Sequence, residues 1–180
     1  MTVRYALAEI EAQARKATRG AGYAWGLAEE AGKAVRWLSA RGMPGAEALA
    51  DLLAETDGLP YGALRPLDPD ASHWRGESAL CPLIAGAALG DFRPDPLPSL
   101  GPMRQPLLLT PFAARLGCVV EDGSPLRLVR TGDAMPAATQ AAARVEAAAW
   151  AALDALAHRT YVPASAASRA GAGAGGTDED

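Results

Sequence analysis

Ten of the fourteen prolines fall between Leu59 and Pro111, the middle of a 180-residue chain. Proline fixes its own φ, donates no backbone hydrogen bond and pushes the residue before it out of the helical region. Long helices and central strands are therefore excluded from this third of the chain. One exception is Glu77 to Leu89, small and apolar, which predicts a short buried helix after Ser78. Most regular structure must lie on either side.

On the N-terminal side, Tyr5, Leu7, Ile10, Ala14 and Ala17 keep helical spacing and predict a helix over 5–19. Gly20-Ala21-Gly22 ends it. A second helix is expected from Trp25 to Ala40, stopping at Arg41-Gly42. A third runs from Ala46 to Glu55, with Pro44 placed to start it and Asp57-Gly58 to close it. On the C-terminal side, Leu107–Leu109, Cys118–Val120 and Leu126–Val129 read as short strands, with a hairpin turn at Glu121-Asp122-Gly123. From Pro136 to about Arg159 the pattern predicts a helix with Val145, Ala149, Ala152 and Leu156 on one side and Trp150 at its edge. Strands that do not alternate with helices argue for α+β rather than a doubly wound parallel sheet. The expected architecture is a small helical array at the N-terminus, short antiparallel strands in the middle, a long C-terminal helix and a flexible tail. Residues 1–159 would form a single globular domain and 160–180 a Gly/Ala-rich acidic tail.

Hydrophobic residues make up 49% of the chain, but alanine inflates that figure, so helix contacts should be close and built from small residues. The net charge is −4, with acids and bases interspersed. The absence of a basic stripe argues against nucleic acid as the main partner. No stretch approaches the ~18 apolar residues of a membrane span. Met1 to Ala12 carries Glu9 and Glu11 and lacks the pattern of a signal peptide. Cys81 and Cys118 stand apart and read as reduced, small buried hydrophobes. The expectation is a cytoplasmic protein that avoids membranes.

Chemistry is best sought on the second helix. At 100° per residue, Leu27, Ala31, Ala34, Val35 and Leu38 share the core stripe. Trp25, Glu29, Gly32 and Arg36 fall in one column opposite, with Lys33 beside them and in i,i+4 relation to Glu29. Glycine in mid-helix costs about 1 kcal/mol relative to alanine, so something is expected to approach the backbone at Gly32. Two readings fit. In one, the helix is sandwiched between layers, Gly32 is a packing notch and the charges pair at its edge. In the other, the column is a pocket wall in which Glu29 is the acid/base or ligand anchor and Lys33 or Arg36 holds an anion. Glu30 and Trp37 form a separate edge and read as structural.

Other motifs are weaker. Gly20-Ala21-Gly22 follows a helix and matches neither the dinucleotide fingerprint nor a nucleotide loop. His73 would need Cys81 or Glu77 to build a site, and a Cys–His nucleophile pair would need His73 beside Cys81 or Cys118. His158 is placed to cap the last helix. There is no Gly-x-Ser-x-Gly elbow and no His-Glu-x-x-His, so no metal set is assigned and the cofactor stays undefined. The ending Asp178-Glu179-Asp180 is a compact anion that would suit a hard cation, or arginines such as Arg75 or Arg104.

The segment Arg-Gly-Ala-Gly-Tyr-x-Trp-Gly-Leu-Ala-Glu-Glu-Ala-Gly-Lys-Ala, followed by Arg36-Trp37-Leu38, resembles a family of bacterial proteins catalogued as a domain of unknown function, number 3726. Ala79-Leu80-Cys81-Pro82 with Gly86-Ala87 supports the resemblance, as do Arg159-Thr160-Tyr161-Val162-Pro163-Ala164-Ser165 and the acidic ending. The resemblance implies a small cytosolic bacterial protein and supplies no activity. Family members end in Asp-Asn-Asp and carry an acid after Ser165. Glu179 and Ala166 stand at those places here, which weakens a chelating role for the tail. Two functions follow. One is an accessory or interaction module of a small-molecule metabolic system, docking a protein partner or a second copy through Trp25, Gly32, Lys33 and Arg36. The alternative is an enzyme acting on a small polar metabolite with Glu29 as acid/base.

Overall fold

The computed structural model describes residues 1–132 and 137–161. Regular structure begins with β1 (Thr2–Ala6), α1 (Leu7–Gly20), α2 (Trp25–Ser39) and α3 (Gly45–Thr56). The proline-rich middle holds only short pieces: α4 (Tyr61–Leu64), β2 (His73–Trp74), α5 (Pro82–Phe92), β3 (Ser99–Leu100), a 3-10 turn at Pro106–Leu109 and α6 (Thr110–Arg115). Then come β4 (Cys118–Glu121), β5 (Arg127–Arg130), β6 (Ala142–Glu146) and α7 (Ala147–His158). Helix and strand are mixed as an α+β chain requires. No helix among the described residues is long and apolar enough to cross a membrane.

Small residues set the packing. Ala14, Ala17, Ala28 and Ala31 are fully buried where α1, α2, α3 and α7 meet, interleaved with Ile10, Val35, Leu38, Leu49 and Leu153. A Cβ on Gly20 would run into the Leu156 carbonyl of α7, and one on Gly32 would lie 2.9 Å from the Glu11 carbonyl of α1. These are close approaches that only glycine allows. The second half of the core gathers around α5, where Leu83, Ala85 and Leu89 pack with fully buried Trp74 and Leu108.

Several expectations require correction. Residues 2–6 are a strand, so the first helix starts at Leu7 rather than Tyr5. The middle helix lies later than 77–89, because Pro82 sits at its first turn, where a missing N–H costs nothing. Leu107–Leu109 is part of the 3-10 turn leading into α6 and not a strand.

The long C-terminal helix is not present. Ala142–Glu146 pairs antiparallel with β1, Thr2 opposite Glu146 through Ala6 opposite Ala142, and α7 covers only Ala147–His158. Val145 is thus a strand residue. Ala143 and Val145 point inward while Arg144 and Glu146 point out, an alternation that an alanine-rich helical pattern conceals. Pro136 and residues 162–180, including the expected tail, lie outside the described residues. The hairpin expectation holds: β4 and β5 pair antiparallel with Glu121 opposite Arg127. The third pair, β2 with β3, is parallel.

Candidate functional site

A cleft of about 640 Å³ opens between the first turns of α2, the C-terminal half of α5 and the end of α6. Two of its walls include a patch of bare backbone. Gly26 on α2 and Gly90 on α5 both line it, and a Cβ at either would meet no other protein atom within 4 Å. Gly86 on the same α5 wall differs, because a Cβ there would collide with the Phe112 ring. Phe112 and Leu116 make the apolar floor.

The charged groups come in two sets. Glu30, with its side chain 24% exposed, accepts from Lys33 Nζ at 2.9 Å and from Arg115 Nη1 at 2.6 Å. Burial pushes the Glu30 carboxyl up, but the hydrogen bonds and positive charges of Lys33 and Arg115 outweigh it and hold the group below the usual carboxylate value. In return Glu30 raises the Lys33 ammonium. The Arg115 guanidinium also lies 4.7 Å from the centre of the Phe112 ring. The second set is Glu29, Asp91 and Arg93, which line the cleft and whose side chains make no hydrogen bond or ion pair among the described residues. Arg93 closes α5 at φ 46°, in the left-handed region that favours glycine.

The column expected on α2 is therefore divided. Glu29 faces the cleft. Lys33 pairs with Glu30 at i,i+3 rather than with Glu29. Gly32 is buried against α1, where the Glu11 carbonyl and Arg15 Cβ press on it. Arg36 turns the same way, its Nη1 2.8 Å from Glu11 Oε2. Trp25 stands 62% exposed beside the cleft, with the Arg19 guanidinium 5.3 Å over its ring. Glu30, expected to be structural, ties α2 to α6 at the cleft wall through Arg115 and also holds Lys33. Asp91, Arg93 and Arg115 went unpredicted, since nothing local in the sequence carries α5 and α6 to the side of α2. The one signal was Gly86 and Gly90 at i,i+4, which puts two glycines on one helical face.

The remaining candidates do not converge. His73 Nδ1 is 2.9 Å from Ser99 Oγ at the surface. Cys81 and Cys118 are buried free thiols, and Cys81 Sγ lies 3.6 Å from the Tyr23 hydroxyl. His158 Nδ1 bonds the Asp154 carbonyl at 2.8 Å, the capping contact expected of it. Arg104 is held by Ser78, the Ala79 carbonyl and Glu55. No group of three or more His, Cys, Asp or Glu among the described residues is arranged to hold a metal ion.

No curated protein and no solved structure matches this chain. Residues 5–76, which contain α1, α2 and the Glu29–Glu30 wall of the cleft, match the family described as Protein of unknown function (DUF3726).

Proposed function

We propose that this chain is a cytoplasmic accessory module of small-molecule metabolism that holds a small polar molecule in the cleft between α2, α5 and α6. The observation that carries this reading is the pair of open glycines. Each helical glycine forgoes about 1 kcal/mol relative to alanine, and neither Gly26 nor Gly90 has a protein neighbour that would forbid a side chain. A ligand lying against bare backbone explains both. Glu29, Asp91 and Arg93 add charges of both signs that make no hydrogen bond or ion pair among the described residues, so the ligand is polar and matches them in the opposite sense. The volume suits a small metabolite. Trp25 and Phe92, 62% and 63% exposed beside the cleft, are the kind of large side chain that anchors a protein partner or a second copy.

Glu29 favours a second reading, an enzyme in which its carboxylate, not hydrogen-bonded among the described residues, moves a proton of the bound molecule. The first reading is tested by native mass spectrometry of the protein purified from its own host, followed by denaturation. A mass excess lost on denaturation is expected, and Gly90→Leu should abolish it by filling the cleft without disturbing α5. A wild-type mass equal to the bare chain, or to a clean multiple of it, overturns the ligand reading. Turnover of the released molecule by wild type but not by Glu29→Gln selects the enzyme.

A further inference from the structure

A second cleft, of about 460 Å³, lies between the β1–β6 ladder and the turn joining α2 to α3. In that ladder Arg4 stands directly opposite Arg144. Directly opposed residues of an antiparallel pair project from one face with their Cβ atoms about 4.5–5.5 Å apart, and like charges so placed destabilise the sheet. Neither guanidinium is relieved by a hydrogen bond or ion pair among the described residues. The nearby acids are occupied elsewhere. Glu146 pairs with the Met1 ammonium at 3.2 Å, and Glu47, which lines the cleft, accepts the Glu146 backbone N–H at 2.9 Å. Gln140 lines the same cleft, and its carboxamide covers Gly42, with Nε2 2.7 Å from where a Cβ at Gly42 would stand. That carboxamide makes no side-chain hydrogen bond among the described residues. The cleft thus offers two planar forks of N–H donors and an amide, and the Glu47 carboxylate that also lines it bonds neither guanidinium among the described residues.

We propose that Arg4 and Arg144, with Gln140, bind the phosphate group of a small phosphorylated molecule in this cleft. A phosphate monoester or diphosphate carries the two negative charges that two guanidiniums neutralise, and its oxygens match their forked geometry. Glu47 in the cleft and Glu146, two positions along β6 from Arg144, would repel a continuous phosphate backbone, so the ligand is a small molecule and not a polynucleotide. The site is separate from the α2–α5–α6 cleft, and neither reading depends on the other.

The test is titration of the full chain with pyrophosphate, followed by amide chemical shifts at ionic strength held constant with chloride. Saturable shifts around Gln140 and residues 142–144 are expected, with affinity at least tenfold weaker in Arg4→Gln and Arg144→Gln. Without anion, both variants should melt no lower than wild type, because the opposed charges no longer repel. Should one fail to fold, Arg144→Lys replaces it, keeping the charge, losing the fork and binding with intermediate affinity. Shifts that never saturate, that chloride alone reproduces, or that persist unchanged in the arginine variants overturn the proposal. A short oligothymidylate that binds more tightly than pyrophosphate and is lost in the same variants overturns it in favour of single-stranded nucleic acid.

Discussion

Arg115 Nη1 lies 2.6 Å from Glu30 Oε2 and ties the end of α6 to the middle of α2 across 85 positions of the chain. Lys33 holds the other oxygen of the same carboxylate. The bond fixes one wall of the cleft and keeps Glu30 out of reach as a free acid, while Glu29, one residue earlier, makes no hydrogen bond or ion pair among the described residues.

The Glu30 carboxyl titrates below its usual value in the folded chain. Its contribution to stability is therefore present above the unfolded-state pKa, about 4.3, and is lost as pH falls through the lower folded value. Glu30→Gln should cost about 0.5–1 kcal/mol at neutral pH, a modest figure because Arg115 and Lys33 are more than half exposed. Urea unfolding at several pH values checks this. The gap between wild type and variant should close as pH falls from 5 towards ~3.

Three helical glycines should respond oppositely to alanine. Gly90→Ala adds a methyl to open space and should raise stability by about 0.5–1 kcal/mol. Gly32→Ala presses on the Glu11 carbonyl, and Gly86→Ala on the Phe112 ring. Each should cost about 1–3 kcal/mol as over-packed sites do. Denaturant midpoints of the three variants decide it, and a stabilised Gly32→Ala would mean that α1 and α2 pack less closely than described.

Thr56 Oγ1 donates to the Leu52 carbonyl at 2.9 Å, so it accepts from the Tyr23 hydroxyl at 2.9 Å. Burial pushes that hydroxyl well above the ordinary phenol value, helped by Cys81. Burial also raises the Cys81 thiol. A phenol with a raised folded pKa gives stability that is whole below the unfolded value of about 10 and is lost as pH rises beyond it. Tyr23→Phe should cost roughly 1 kcal/mol at neutral pH and flatten the alkaline decline above pH ~10. In native protein at neutral pH, Cys81 should resist alkylation and react only after unfolding.

How much of this was legible depends on range. α1 to α3 and the burial of Ala31, Ala34, Val35 and Leu38 follow from periodicity within one element, and they appear as expected. β6 was hidden because the residues around Val145 favour a helix locally, and only β1, 140 positions away, supplies the ladder that overrides this. Gly32 and Gly90 look alike in sequence. One is a notch against α1 and the other is open, a distinction that resides in the neighbour and not in the glycine. Likewise Glu29 and Glu30 are adjacent acids whose roles separate only once α6 delivers Arg115.

Arg93 joins the stability and binding arguments in one residue. At φ 46° and ψ 55° it occupies the position after α5 where glycine is the favoured residue, and an L side chain there costs about 1 kcal/mol. No hydrogen bond or ion pair of its guanidinium repays that cost among the described residues. Arg93→Gly should therefore raise stability by up to about 1 kcal/mol, somewhat offset by the freer unfolded chain. If Arg93 is kept for the ligand, the same variant should lose the bound mass seen by native mass spectrometry. Arg93→Asn, which tolerates the left-handed region without the charge, should lose it too. Higher stability with the bound mass intact in both variants would remove Arg93 from the site and leave Glu29 and Asp91 as its charged groups. Lower stability would mean that the guanidinium holds the end of α5 in place.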